Sequence, residues 1–285
     1  MPTIHPLALI EPGATLADDV TVGPFAYVGP NVTLGKGCVL HHHAQIEGHT
    51  TAGENNTFFP NCLIGAVSQD LKYQGGDCRV SIGSHNVFRE NATVHIGTEV
   101  GGGETRIGDH NLIMVGAHIA HDCILHNHII LANNVLLAGH VLVEDHCVLS
   151  GAVASHHFVT IGRHAFIGGI SAITRDVPPF MVFDGMPAIV RGINKTGLKR
   201  RGFDDSRIDA LRCAYRLLFK DTTPFAAGAA ELEQLFPDQP DIRFLLDFMR
   251  ASLAGKFGRA RENLRGKSTL ASDDEDAPPP HVSGN

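Results

Sequence analysis

Ile113-Met-Val-Gly-Ala-His-Ile-Ala-His-Asp-Cys-Ile124 decides how this 285-residue chain is read. The stretch sets large aliphatic residues six apart at Ile113 and Ile119, small residues at Ala117 and Cys123, and a His121-Asp122 pair. The first two features recur through most of the chain. The third has the form of chemistry carried on the outside of that repeat.

Counting by sixes toward the C-terminus gives Leu125, Leu131, Leu137, Val143, Leu149, Ser155, Ile161, Ile167 and Ile173. Toward the N-terminus Ile107 precedes a break, then come Val94, Phe88 and Ile82. Beyond a second break the series runs from Ile64 through Phe58, Ala52, Ile46, Leu40, Leu34, Val28, Val22, Leu16 and Ile10 to Ile4. Only Ala52 and Ser155 depart from the large-apolar rule. Small or β-branched residues follow four positions on, as at Ala8, Ala14, Val20, Ala44, Val135 and Ala165.

Neither the helical period of 3.6 nor strand alternation generates this pattern. A fixed period of six is the signature of a parallel β-helix built from hexapeptide repeats. Each hexad is a short strand and a turn, and Gly or Asn supplies the turn's positive φ. Three hexads close one triangular coil of 18 residues, so residues 18 apart stack about 4.8 Å away on the next coil.

The two breaks must loop out of the prism, which makes them candidates for function. One is Asp70-Leu-Lys-Tyr-Gln-Gly-Gly-Asp-Cys-Arg-Val-Ser81, the other Val100-Gly-Gly-Gly-Glu-Thr-Arg106. At Asp176-Val-Pro-Pro179 two prolines are expected to stop strand addition. Beyond about 195 the period becomes helical. A helix is expected over 205–219, with Ile208, Leu211, Ala214, Tyr215 and Leu218 on one face and Asp204 or Asp205 as cap. Two more are expected over 231–236 and 242–257. The expected organisation is a β-helix domain over 1–190, a helical domain over 191–267, and a disordered acidic and Pro-rich tail over 268–285.

With 43% hydrophobic residues the chain can bury a sizeable core. No apolar run approaches the roughly 18 residues of a membrane span. Met1-Pro-Thr-Ile-His lacks the regions of a signal peptide, so a cytoplasmic location is expected. The six cysteines form no CxxC. Cys38, Cys62, Cys123 and Cys147 share the small position of the repeat and read as core residues. Residues 1–190 carry 7 Lys and Arg against 16 Asp and Glu, whereas 191–270 carry 16 against 10. That basic segment fits an anionic ligand or partner, and fits solvated helix faces too.

Of the 18 histidines, 17 precede residue 165, mostly at outward positions where a solvated turn His is the plain reading. His41-His42-His43 imitates a metal tract, but on a β-helix edge such residues diverge. The coil length gives His118, His121, Asp122 and His140 more meaning. Gly139 lies 18 residues after His121, and His140 lies 18 after Asp122. A base, a carboxylate, a second histidine and an open backbone N–H are the parts needed for general-base acyl transfer onto a hydroxyl. A merely polar outer face has the same spacing. No nucleophile elbow, Walker loop or dinucleotide fingerprint occurs, and no basic, aromatic-interleaved face speaks for nucleic acid. Flat β-helix faces place ligand sites between neighbouring prisms, favouring a homo-oligomer.

Asp70-Leu-Lys-Tyr, His118-Ile-Ala-His-Asp-Cys123, Leu131-Ala-Asn-Asn, Leu137-Ala-Gly-His140, Asp176-Val-Pro-Pro and Gly197-Leu-Lys-Arg-Arg-Gly-Phe203 together resemble the acyl-carrier-protein–UDP-N-acetylglucosamine O-acyltransferase family of lipid A biosynthesis. The resemblance covers roughly 4–265. It implies a mainly β fold: a left-handed parallel β-helix of hexapeptide repeats with a small C-terminal α-helical domain, assembled as a cytoplasmic homotrimer. Handedness rests on the resemblance alone, since parallel crossovers are usually right-handed.

The implied reaction moves an (R)-3-hydroxyacyl group from acyl carrier protein to the 3-hydroxyl of UDP-N-acetylglucosamine, without metal or dissociable cofactor. The acyl group arrives on phosphopantetheine. By the resemblance His121 is the base, Asp122 orients it and the Gly139 N–H holds the oxyanion. His118, His140 and His156 line the site between subunits. Asp70, Lys72 and His95, with the neighbouring Gln69, hold the sugar nucleotide from the adjacent subunit. Asn194, Arg200 and Arg201 meet nucleotide or pantetheine phosphates. Gly169 matches the family's hydrocarbon ruler, and glycine there implies a groove of myristoyl rather than decanoyl length, with Phe166 nearby. His157 stands where the family commonly has Gln, and Thr196 where it has Glu, so nucleotide contacts differ there.

Three other readings compete. An N-acyltransferase of the same pathway carries an N-terminal uridine-binding domain, whereas this repeat begins at Ile4. A zinc hydratase of the γ-carbonic anhydrase type would use His118, His121 and His140 but leaves the helical domain without a role. A non-enzymatic β-helix leaves the loops and the His-Asp pair unexplained.

Overall fold

The structure is a computed structural model that describes residues 1–257. The tail expected over 268–285 and the end of the expected helical domain lie outside the described residues. Short parallel strands run from Thr3–Ile4 to Ala172–Ile173, and every third strand joins the same sheet. Three sheets result, of 11, 9 and 8 strands among the described residues, forming the faces of a prism. Ile4, Val22, Leu40, Phe58, Phe88, Ile113, Leu131, Leu149 and Ile167 lie in register up one face. The six-residue series is thus the core. Ile113, Ile119 and Leu125 are fully buried, and so are Cys38, Cys62, Cys123 and Cys147 at the small position.

Corner residues carry positive φ, at Asn55, His110, Asp122, Asn134 and His140 among others. Histidine shares this position with the expected Gly and Asn; its side chain tolerates the left-handed region better than most. Many of these histidines are not simply solvated. His85, His110, His128, His146 and His164 stack ring on ring along one edge, centroids 4.7–4.9 Å apart. The column spaces its rings as the coils space their backbones. His41, by contrast, stacks on Phe59 and His43 on Phe25, so the triple-histidine tract diverges.

The insertions displace the register as counted: Ala52 pairs with Ile82, and Ile82 with Ile107. Each loop ends earlier than the sequence suggested, however, because Arg79–Ile82 and Glu104–Ile107 are already strands. The prolines at 178 and 179 do not end strand addition either. Val177 bridges to Ile161, and Met181–Gly185 adds another parallel strand on Phe166–Ile167 before an antiparallel return over Ala188–Ile193. The prolines occupy the corner between these, where no ladder N–H is required.

Helices α1 (Lys195–Arg200), α2 (Asp205–Tyr215), α3 (Phe225–Leu235) and α4 (Pro240–Leu253) follow. Asp204 caps α2 by accepting from the Arg207 N–H. The helix expected to 219 passes at Arg216 into a π turn ending at Lys220. Helix α3 starts six residues before its expected first turn because Ala226, Ala227 and Ala229 sustain it. Pro240 begins α4 rather than breaking the chain before it, since proline is tolerated at the first helical position. Gly255, at φ +70°, stops α4 short of 257. Arg207 grips the buried Asp241 with two hydrogen bonds of 2.7 and 2.9 Å, tying α2 to α4.

Candidate active site

Asp122 sits at a prism corner with φ +59° and its side chain buried. Its Oδ2 lies 2.8 Å from His121 Nδ1. Thr98 donates twice to the same carboxylate, from its N–H to Oδ1 at 2.9 Å and from Oγ1 to Oδ2 at 2.6 Å. Burial alone would raise this carboxyl, but the hydrogen bonds from His121 and Thr98 outweigh it and hold it below its ordinary range. An ionised carboxylate only accepts, so Nδ1 carries the imidazole proton. The Nε2 lone pair is left for a substrate.

What surrounds Nε2 fits a proton transfer. Gly139 stands one coil on, and a Cβ there would run into the His121 ring. At the equivalent corner position the N–H groups of Asp109 and Asn127 donate to side chains one coil away, Asn127 and Asp145. The N–H of Gly139 has no acceptor among the described residues. His140 Nε2 is 3.6 Å from Asp122 Oδ2, and its ring meets that of His121 edge-on at 5.0 Å and stacks on Phe158. Asp70 Oδ2 is 3.8 Å from His121 Nε2, longer than a hydrogen bond, a gap that a hydroxyl can bridge. His118 lies in the preceding strand, bonded through Nδ1 to Thr93 Oγ1 at 2.8 Å and edge-on to His95. Burial, helped by His95 and His121, pushes His118 down to about 4, so it is neutral near pH 7. His95 Nδ1 is engaged with the Val67 carbonyl at 2.7 Å.

Among the described residues His121, Asp122 and His140 form the one cluster with metal-ligand types in reach of each other. His118, which the zinc reading requires, is outside it. Three further residues support Asp122: Thr98, just before the second insertion, and Gly101 and Thr105 within it. Thr105 Oγ1 accepts from the Asp122 N–H at 2.8 Å, and a Cβ on Gly101 would strike the Asp122 carboxylate. The available signal was the second insertion itself.

Residues 13–48 and 104–139 match bacterial transferase hexapeptide repeats, and 176–256 match the family described as UDP-N-acetylglucosamine O-acyltransferase, domain 2. The chain is 44% identical over 255 residues to the acyl-[acyl-carrier-protein]–UDP-N-acetylglucosamine O-acyltransferase of Stutzerimonas stutzeri, covering 90% of this chain and 99% of that one. The chain belongs to this family. Among solved UDP-N-acetylglucosamine acyltransferases, that of Acinetobacter baumannii superposes with a TM-score of 0.84 at 40% identity, covering 90% of this chain and 98% of that chain. That of Bacteroides fragilis does so with 0.86 at 35%, covering 90% and 99%.

The acyltransferase keeps its candidate site residues in separate places within one chain. Asn194, Thr196, Arg200 and Arg201 line a cavity of about 830 Å³ with His128, His146 and Phe166, on the 11-stranded face. His121 and Gly139 occupy the corner between the other two sheets. The Asn194 amide caps α1 by accepting from the Gly197 N–H at 3.1 Å, and donates to the His164 carbonyl at 2.9 Å. His156 packs against His157, two coils beyond His121 on the same corner. Gln69 and Lys72 are exposed on the first loop. Gly169 is exposed on the third corner, and Phe166 points into the cavity instead. Asp70 faces the His121 of its own chain, where the first loop folds back over its own corner. No helix among the described residues is long and apolar enough to cross a membrane.

Proposed function

We propose that the acyltransferase transfers an (R)-3-hydroxyacyl group, of myristoyl length, from acyl carrier protein to the 3-hydroxyl of UDP-N-acetylglucosamine in lipid A biosynthesis. The observation that carries this reading is His121 held through Nδ1 by ionised Asp122, with its ring against Gly139, whose N–H has no acceptor among the described residues. Nε2 takes the hydroxyl proton as the sugar oxygen attacks the thioester carbon. The Gly139 N–H meets the oxyanion. When the C–S bond breaks, the imidazolium returns the proton to the leaving phosphopantetheine sulfur. These groups carry the reaction without a metal or dissociable cofactor.

Two further parts of the reading follow from placement. The cationic cavity at Arg200 and Arg201 lies on the face opposite the His121 corner, so one substrate reaches both only where two chains adjoin. A homotrimer with sites between subunits meets that need. The basic α1–α2 region suits the acidic surface expected of the carrier protein, and a cytoplasmic enzyme would meet both substrates.

The test is transfer of radiolabel to UDP-N-acetylglucosamine from 3-hydroxymyristoyl carrier protein, by wild type and His121→Ala. Wild type should form acylated product, and the variant should be slower on the order of 10²–10⁴-fold. Absence of product with wild type would sink the reading.

A further inference from the structure

The segment 68–77, which carries Asp70, is largely held by its own turns. Lys72 N–H donates to Asp70 Oδ1 at 3.0 Å, Tyr73 N–H to the Asp70 carbonyl, and Tyr73 Oη–H to the Gly76 carbonyl. None of these bonds fixes the loop relative to the catalytic corner. Glu99 does. Its Oε1 accepts from the N–H of Gly76 at 2.5 Å and from that of Gln74 at 3.3 Å, and a Cβ on Gly76 would collide with the Glu99 side chain. Besides it, Tyr73 rests against the prism core, and His49 lies 3.5 Å from Asp77 between exposed side chains.

Glu99 sits next to Thr98, whose N–H and hydroxyl both hold Asp122. The 3₁₀ turn Glu99–Gly101 starts there, and Thr98 O accepts from the N–H of Gly101 and of Gly103. One short turn therefore grips both carboxylates that flank His121: Asp122 on the Nδ1 side, and Asp70, through its loop, on the Nε2 side.

We propose that Glu99 is the positioning residue for Asp70, and that it sets the acceptor side of the site by latching the first insertion onto the second. This rests on the reading of His121 as a base acting on a hydroxyl held beside Asp70. Glu99 itself touches no reacting atom. Its own N–H and those of Gly76 and Gln74 hold the carboxyl below its ordinary range, so the latch stays ionised, and accepting, throughout the neutral pH region.

The experiment compares wild type, Glu99→Ala, Glu99→Gln and His121→Ala. It follows steady-state transfer from 3-hydroxymyristoyl carrier protein, and amide hydrogen exchange of the acceptor-free enzyme. Glu99→Ala should raise KM for UDP-N-acetylglucosamine about tenfold, the factor expected for hydrogen bonds to a charged acceptor, with kcat changed less than about threefold. Peptides spanning 74–76 should lose protection while those of the prism do not. Glu99→Gln keeps a carbonyl acceptor and should recover most of both. Unchanged KM and protection in Glu99→Ala would overturn the proposal. So would a fall in melting temperature with kcat and KM shifting together, or a Gln variant no better than Ala. Full activity in His121→Ala would sink the base reading instead, and the exchange arm would still report on the latch.

Discussion

Gly139 lies against the imidazole of His121, so that any Cβ at 139 would overlap the ring. The glycine is there for that contact rather than for its backbone, since its φ is not among the positive ones. Gly139→Ala should therefore fold with a melting temperature close to wild type and push the imidazole off its N–H neighbour. Loss of the aligned base and oxyanion donor should lower kcat at least about 10²-fold. Activity within threefold of wild type, measured with the carrier-bound donor, would remove Gly139 from the mechanism.

Asp122→Asn tests the tautomer. Both Asp122 oxygens accept from Thr98 while Oδ2 also faces His121 Nδ1. An amide has one oxygen, so its NH₂ must face either Thr98 donors or Nδ1–H. Turned to His121, it favours the proton on Nε2, where it blocks base function. The same substitution in a Ser-His-Asp triad leaves the geometry intact but the imidazole in the wrong tautomer, and a loss on the order of 10³–10⁴ in kcat is expected here by the same logic. Circular dichroism and melting should show the fold kept; a kcat within tenfold of wild type would mean that Asp122 does not set the tautomer.

The prism was legible because its core obeys one rule. Ile113, Ile119 and Leu125 face the same axis, so a period of six survives insertions that merely shift it. The pairing of His121 with Gly139 followed from the same rule, as coil length converts spacing into contact. Thr98 and Glu99 were not legible. They act through a loop outside the repeat, and loop conformation depends on close approaches, such as Gly101 to Asp122, that no period encodes. The histidine column was hidden for another reason: an outward position says where a ring starts, and stacking depends on which ring occupies the next coil. The strand over Met181–Gly185 is hidden because a proline pair looks the same in sequence at a corner as at the end of a sheet.

Stability should fall on acidification through the imidazoles of His118 and His164. Burial pushes both down to about 4, with His146, Arg201 and Arg163 adding to the effect at His164. An unfolded imidazole titrates near 6.5, so between about pH 4 and 6.5 the unfolded chain binds protons that the folded chain refuses. Stability therefore rises with pH across that window and is lost as pH falls through it. Melting temperatures from pH 4 to 7.5 should trace this slope. His164→Phe keeps a ring in the column, as Phe180 does on the following coil, and should flatten the slope. An equally steep profile in the variant would place the titration elsewhere.

Gly169 offers the sharpest test of donor length. A Cβ there would meet only the Gly151 carbonyl oxygen at 3.4 Å and Ser150 Cβ at 3.9 Å, and the position is exposed. Nothing local requires glycine, so Gly169→Met should leave the melting temperature nearly unchanged. If the acyl chain runs past this corner, the added side chain fills the space of its last methylenes. Myristoyl and decanoyl differ by four methylenes, each contributing about 0.8 kcal/mol when buried, or roughly two orders of magnitude together. Wild type should favour 3-hydroxymyristoyl carrier protein in kcat/KM, and Gly169→Met should shift preference toward 3-hydroxydecanoyl by a large part of that factor. Competition between the two donors in one reaction reads the ratio directly. A ratio unmoved by the substitution would put the end of the groove away from this corner.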